Sequence, residues 1–169
     1  EELGIEESMR FTNFDDVCAS KEIDAIHIIT PILDHYKQSL ASLEAGKHTA
    51  CTVPMATTIE ELKNLCDAQK KSGKVYMMME TAVYTREYLY VKHLGESGQM
   101  GRIQLVRGSH MQDMGLGGWP EYWLGFPPFW YGTHAISPLL MINKTEALSV
   151  IGHGSGHISE DLAKRYGSP

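Results

Sequence analysis

The spacing of apolar residues changes repeatedly between residues 13 and 81. IDAIHIIT (23–30) is a β-branched apolar run that stops at Thr30-Pro31 and predicts a strand. DHYKQSLASLEAG (34–46) sets Tyr36, Leu40 and Leu43 on a helical stripe, with Asp34 as the expected cap and Gly46 as the stop. HTACTV (48–53) predicts a short strand that ends at Pro54. TIEELKNLCDAQKKSG then opens with Thr58 and Glu61 at capping-box spacing, carries Ile59, Leu62, Leu65 and Cys66 on one stripe, and stops at Gly73. VYMMMET (75–81) is again continuously apolar. Upstream, EELGIEES predicts an acidic helical stretch, and Asn13 is placed to cap a short helix in NFDDVCAS.

Strand, helix, strand, helix, strand with short links predicts an α/β fold, a parallel sheet with right-handed crossovers. Strands apolar on both faces predict a sheet covered by helices on both sides. Ligands of such sheets lie beyond the carboxyl ends of the strands. Those ends are Thr30-Pro31, Thr52-Val53-Pro54 and Glu80-Thr81. Glu80 closes a run of three methionines, as either a ligand-facing carboxylate or the partner of a nearby cation.

Beyond a helix in TREYLYVKHLGES the character changes. GRIQLVRGSHMQD (101–113) and ALSVIGHGSG (147–156) predict strands, separated by the Gly-, Trp- and Pro-rich loop GLGGWPEYWLGFPP. Residues 82–169 therefore read as the start of a second, α+β domain, following a first domain over 1–81. FWYGTHAISPLL (129–140) sets Tyr131 and His134 in apolar surroundings. A buried phenol or imidazole must find a hydrogen bond. Each is satisfied in the core, or both face a ligand lodged between the domains.

Composition narrows the function class. The 169 residues carry a net charge of −6, which argues against a nucleic-acid partner. No run is long enough for a membrane-spanning helix. Cys18, Cys51 and Cys66 are odd in number and widely spaced, as in reduced thiols of a cytoplasmic protein. Glu1 as the first residue and the open-ended AKRYGSP suggest a piece of a longer protein. There is no GxGxxG, P-loop, CxxC or GxSxG motif. GLGG lies in a loop, so it is no phosphate fingerprint. HGSGH spaces His153 and His157 four apart, but the intervening glycines oppose a helix, and no metal is expected. His110 and Asp113 either line a site or pair with each other.

IDAIHIITPILDH, AGKHTACTVPMATTIEEL, SGKVYMM and SGQMGRIQLVRGSH together resemble the glucose–fructose oxidoreductase/inositol dehydrogenase (Gfo/Idh/MocA) family over nearly all of the chain. The resemblance implies a Rossmann domain over 1–81 that lacks its glycine-rich first unit. Over 82–169 it implies part of a substrate domain with an open sheet, through which the intact protein would form a homo-oligomer. It also implies NAD or NADP as cofactor and a small-molecule sugar substrate. Thr30, Pro31 and His35 match a Thr-Pro-x-x-x-His segment that lies along the cofactor. Thr52, Val53 and Glu80 are expected beside it.

Two positions depart from the usual pattern. Where most of these dehydrogenases have Glu-Lys-Pro, this chain has Thr52-Val53-Pro54. Where they have Asp four residues before the later histidine, it has Trp130. Val53 removes the ammonium that would assist proton transfer. The chain is more similar to the NAD-dependent α-N-acetylgalactosaminidases of the same superfamily. These share the Val-Pro, a strand end like Met78-Met79-Glu80 and a Tyr-x-Thr-His segment like Tyr131 to His134. A tyrosine of that group falls at His110. Catalytic roles are therefore expected at Tyr131, His134 and His110. The implied function is an NAD(P)-dependent oxidoreductase acting on a sugar. The alternatives are a glycoside hydrolase working by transient oxidation and elimination, and a non-catalytic sugar- or dinucleotide-binding relative.

Overall fold

The computed structural model describes residues 4–113, 116–125, 127–154 and 159–166. The chain divides between Met79 and Glu80 into two compact units.

The first unit runs α1 (Phe14–Ala19), β1 (Ala25–Ile28), α2 (Ile32–Glu44), β2 (His48–Thr52), α3 (Ile59–Ser72), β3 (Tyr76–Met79). The strands lie side by side in chain order and are all parallel, with Ile28 opposite Cys51 and Cys51 opposite Met78. Local chemistry sets the boundaries. The Asn13 side chain accepts from the Asp15 N–H at 3.1 Å and starts α1. Thr58 and Glu61 form a reciprocal capping box at α3, which ends at Gly73 with φ of 65°. Of the EELGIEES stretch, the described residues 4–8 contribute only to a short 3₁₀ turn at Glu7–Met9.

Helix α2 corrects the expected cap. It begins at Ile32, with Pro31 at the N-cap, so Asp34 lies inside the first turn and its N–H bonds the Pro31 carbonyl at 2.9 Å. Proline carries a φ already suited to a helix start and needs no N–H there. Asp34 instead places a carboxylate near the positive end of the helix.

Leu43, Ala56 and Leu65 form one core cluster, and Ile26, Ile28 and Cys51 a second, against which Phe14, Val17 and Cys18 pack. Fully burying a leucine side chain stabilises by roughly 1.5–3 kcal/mol, so Leu43 and Leu65 anchor the α2–α3 layer. The sheet is not covered on both faces by the described residues. Ala25 and His27 of β1 are exposed while Ile26 and Ile28 are buried, and Val75 and Met77 are exposed as well.

The second unit contains α4 (Arg86–Glu96), α5 (Thr133–Asn143) and α6 (Glu160–Tyr166), with 3₁₀ turns at Thr81–Tyr84, Glu121–Leu124 and Pro128–Tyr131. Helix α5 packs on the Thr81–Tyr84 turn and on α4. The strands expected over 101–113 and 147–156 are not formed where they are described. Residues 101–113 and 147–154 carry no strand, and Leu105, Met111, Leu148 and Val150 are almost bare. Alternation decides which face a side chain takes, but a strand exists only through a partner, and these segments have none among the described residues. His157 and Gly156 lie outside the described residues. His153 is exposed.

Candidate active site

Glu80 is the residue from which the site grows. It immediately follows β3 and caps the Thr81–Tyr84 turn, its Oε1 accepting from the Ala82 N–H at 2.9 Å. That capping bond fixes a carboxylate that is only 4% exposed. The same oxygen accepts a second, short bond of 2.5 Å from Nδ1–H of His134. His134 is in the first turn of α5, which the Phe129–Gly132 bond leads into at 3.2 Å. In the neutral imidazole the carboxylate selects the tautomer protonated at Nδ1 and leaves Nε2 with its lone pair.

Tyr131, at the end of the preceding 3₁₀ turn, sets its ring edge-on to the His134 imidazole with centroids 4.8 Å apart. Burial pushes its phenol up, and the Glu80 carboxylate and Tyr122 push it further. The group therefore remains an O–H at neutral pH. His110 closes the cluster, its ring 5.2 Å from His134 and 5.6 Å from Tyr131. Its Nε2 lies 3.0 Å from Gln112 Oε1. A close approach brings it there: a Cβ on Gly108 would lie 2.4 Å from the Ala135 carbonyl oxygen, so only glycine lets this segment cross α5.

Two buried oxygens of the cluster have no hydrogen-bond partner among the described residues, Glu80 Oε2 and Thr133 Oγ1. An unsatisfied buried acceptor is costly and calls for an explanation. Beside them stands a row of aromatic rings. Trp123 meets Tyr131 edge-on at 4.9 Å, and Trp119 lies 5.1 Å from Trp123.

The remaining expected site residues belong to the first unit. His35 is 1% exposed, with Nδ1 2.6 Å from the Pro54 carbonyl and Nε2 2.8 Å from that of Thr30. Thr52 Oγ1 is 3.3 Å from the same Nε2. The imidazole thus ties the loops after β1 and β2 together, and its nitrogens are already engaged. Thr30 Oγ1 donates to Gln38 Oε1 at 2.6 Å. Val53 is buried, and its bond to Pro54 is cis. Thr30 and Thr52 keep half-buried hydroxyls at the carboxyl ends of β1 and β2, flanked by Pro31 and Val53.

The expected residues thus form two groups, Thr30, Pro31, His35, Thr52 and Val53 in one unit and Glu80, His110, Tyr131 and His134 in the other. Thr133, Trp119, Trp123 and Gly108 were not singled out by sequence reasoning. The density of aromatics in GGWPEYW was the visible signal of the two tryptophans.

Residues 1–80 match the Gfo/Idh/MocA model, an oxidoreductase family with an NAD-binding Rossmann fold. Those residues belong to that family. Similarity to known proteins extends beyond the matched part. An alpha-N-acetylgalactosaminidase of Bacteroides fragilis is 30% identical over 142 residues, which cover 75% of this chain and 33% of that protein. The crystal structure of apo scyllo-inositol dehydrogenase from Lactobacillus casei is 30% identical, with a TM-score of 0.55 over 60% of this chain and 30% of that one. An oxidoreductase from Sinorhizobium meliloti shares the fold over 86% of this chain and 40% of its own, with a TM-score of 0.71 at 23% identity. The chain spans about a third of the length of the curated relatives it matches. Among the described residues, no helix is long and apolar enough to cross a membrane.

Proposed function

We propose that the intact protein is an NAD(P)-dependent oxidoreductase acting on a sugar, with proton transfer carried by His134 and Tyr131. The observation that carries this reading is the 2.5 Å bond from His134 Nδ1 to buried Glu80, with the Tyr131 ring 4.8 Å from the imidazole. Oxidation of a carbinol requires a base for the hydroxyl proton beside a hydride acceptor, and an oriented imidazole suits the first role while the phenol beside it can hydrogen-bond the alkoxide as it forms.

The donor set at the strand ends fits the nicotinamide–ribose half of a dinucleotide. Thr30 and Thr52 offer hydroxyls, and Pro31 and Val53 offer apolar contact. These four residues would hold that half. His35 supports it from behind by joining the two loops. Bound there, the nicotinamide supplies a hydride acceptor for a sugar C–H.

This chain's own groups supply the rest. His134 Nε2 takes the hydroxyl proton of the sugar carbon being oxidised. Glu80 steadies the imidazolium that results, and its unpartnered Oε2 accepts a neighbouring hydroxyl. Tyr131 donates to an oxygen on which negative charge develops. His110 borders the same cluster.

Cleavage of a glycoside is a second reading, favoured by Val53 and by the similarity to an alpha-N-acetylgalactosaminidase. With the sugar oxidised at the ring, the adjacent C–H is acidified. His134 would remove that proton while Tyr131 protonates the departing glycosidic oxygen, and addition of water to the unsaturated ketone followed by return of the hydride would complete the cleavage and regenerate the cofactor. Net oxidation leaves one reduced cofactor per turnover, whereas cleavage leaves none.

Incubating the intact protein with free sugars and with nitrophenyl glycosides, each with NAD or NADP, separates the two. Accumulating reduced cofactor supports oxidoreduction, and nitrophenol release without it supports cleavage. Neither signal over a broad sugar panel would leave only a binding protein.

A further inference from the structure

A phenol serves as proton donor only when its oxygen is held in place. It must come within about 2.6–3.2 Å of the atom it protonates, and rotation about the Cα–Cβ bond carries a phenolic oxygen well beyond that tolerance. Tyr131 ends the Pro128–Tyr131 turn and is followed by Gly132. A backbone turn fixes where the ring begins, not where it points. Among the described residues, three rings meet that of Tyr131 at steep angles: His134 at 4.8 Å and 90°, His110 at 5.6 Å and 67°, and Trp123 at 4.9 Å and 85°.

His134 and His110 belong to the cluster already described, whereas Trp123 carries no titratable group. Its indole is pinned in turn, by Trp119 at 5.1 Å and by Tyr122, which stacks on it at 5.7 Å with planes 30° apart. The turn beneath it is closed by its own hydrogen bonds. The Trp123 N–H donates to the Pro120 carbonyl at 3.0 Å, and the Gly125 N–H to the Tyr122 carbonyl at 3.2 Å. Packed on one another, these rings form a strut that ends on Tyr131.

We propose that Trp123 is a positioning residue, holding the Tyr131 ring edge-on so that the phenol keeps one place beside His134. The proposal rests on the proton-donor reading of Tyr131 and adds what orients the donor. Edge-to-face is a favoured geometry for two aromatic rings. With Trp119 and Tyr122 packed on the indole, the Tyr131 ring cannot turn toward Trp123 without disturbing the whole strut. The indole also shields a ring that is half-buried, and burial leads the causes that raise the Tyr131 phenol, ahead of the Glu80 carboxylate and Tyr122. His134 and His110 are the other titratable groups that face it.

The test is a double-mutant cycle on the intact protein, with whichever sugar or glycoside gives the wild-type signal. Trp123→Leu should lower kcat by about 10–10²-fold with little change in KM, and Trp123→Phe, which keeps a ring, should retain most of the rate. In a Tyr131→Phe background, itself slowed by about 10²–10⁴, Trp123→Leu should cost nothing more, because no donor is left to misplace. Thermal melting checks that each variant is folded, and Trp123→Met takes the place of Trp123→Leu if the latter is not. Carbon-13 at the tyrosine Cζ reads the phenol without turnover. The Tyr131 signal, assigned as the one missing from Tyr131→Phe, should titrate above the ordinary value of 10.0 in the wild type and closer to it in Trp123→Leu. An equal loss of kcat from Trp123→Leu in both backgrounds, or a Tyr131 titration that it leaves unmoved, would overturn the positioning role. Full rate in Tyr131→Phe is a different failure: it removes the proton-donor reading, and the role of Trp123 with it.

Discussion

Glu80 and His134 are 54 positions apart in the chain and share a hydrogen bond of 2.5 Å. One residue follows the last strand of the first unit and the other opens α5. Glu80 Oε1 also caps a turn through the Ala82 N–H, so the carboxylate is held before it meets the imidazole. A carboxylate immobilised in this way confers direction on a histidine that could otherwise present either nitrogen. In the proposed reaction Glu80 orients the imidazole of His134.

Glu80→Gln should therefore impair turnover much more than stability. The amide carbonyl can still accept from the imidazole N–H, and a neutral amide is cheaper to bury than a carboxylate with an unpartnered oxygen. The melting temperature should hold or rise while kcat falls by about 10²-fold. Thermal melts and steady-state rates on the same preparation check this. A steep fall in melting with kcat intact would make Glu80 a structural group.

Tyr131 predicts the alkaline behaviour. Burial and the Glu80 carboxylate raise its phenol above the ordinary value of 10.0, so the proton donor persists through neutral and mildly alkaline pH. Activity should fall only above about pH 10, and Tyr131→Phe should lower the rate and remove that limb. The sign for stability is the same. A raised folded-state value means the stabilisation is complete below the unfolded phenol range and is lost as pH rises through the folded one. A pH–rate profile with its alkaline limb near neutrality would assign the donor to another group.

Much of the first unit was legible because its signals are local. Asn13, Thr58 with Glu61, and Gly73 each act within a few residues, and apolar runs mark each strand. Asp34 misled because a capping residue and a first-turn acid look alike in sequence, and the proline three residues earlier decides between them. The second unit was less legible. Alternation in 101–113 and 147–156 describes a face, not a partner, and pairing is a long-range property. Glu80 was recognisable as anomalous, but its partner was not, since nothing local links it to His134. The Trp119–Trp123 contact lay within a loop whose composition showed aromatics but not which of them would meet.

Gly108 is a steric prediction. Alanine there would press a methyl group against the Ala135 carbonyl and against both Leu139 methyl groups, at 3.2 and 3.3 Å. The segment that carries His110 must then move off α5. Gly108→Ala should destabilise by about 1–3 kcal/mol and lower turnover further by displacing His110. Chemical denaturation and rate measurements follow the two effects. Unchanged stability would mean that the segment does not cross α5 so closely.

His35 offers a control in the first unit. His35→Ala opens a cavity and leaves the Pro54 and Thr30 carbonyls without the imidazole. Each buried group left unpaired costs about 1–3 kcal/mol, so a clear drop in denaturation midpoint is expected. NAD affinity should weaken with it, because the loops bearing Thr30 and Thr52 lose their common tie. Titration with NAD beside the denaturation curve checks both, and weakened stability with undiminished affinity would detach His35 from the cofactor edge.

Chemical rescue at His134 tests the central claim most directly. In the intact protein, with whichever sugar or glycoside gives the wild-type signal, His134→Ala should lose about 10²–10⁴ in rate. Added imidazole should restore part of that loss, with a pH dependence that follows the free base. If His134→Ala works at close to the wild-type rate, or if its loss responds to no added base, the Glu80–His134–Tyr131 cluster is not where the proton is transferred.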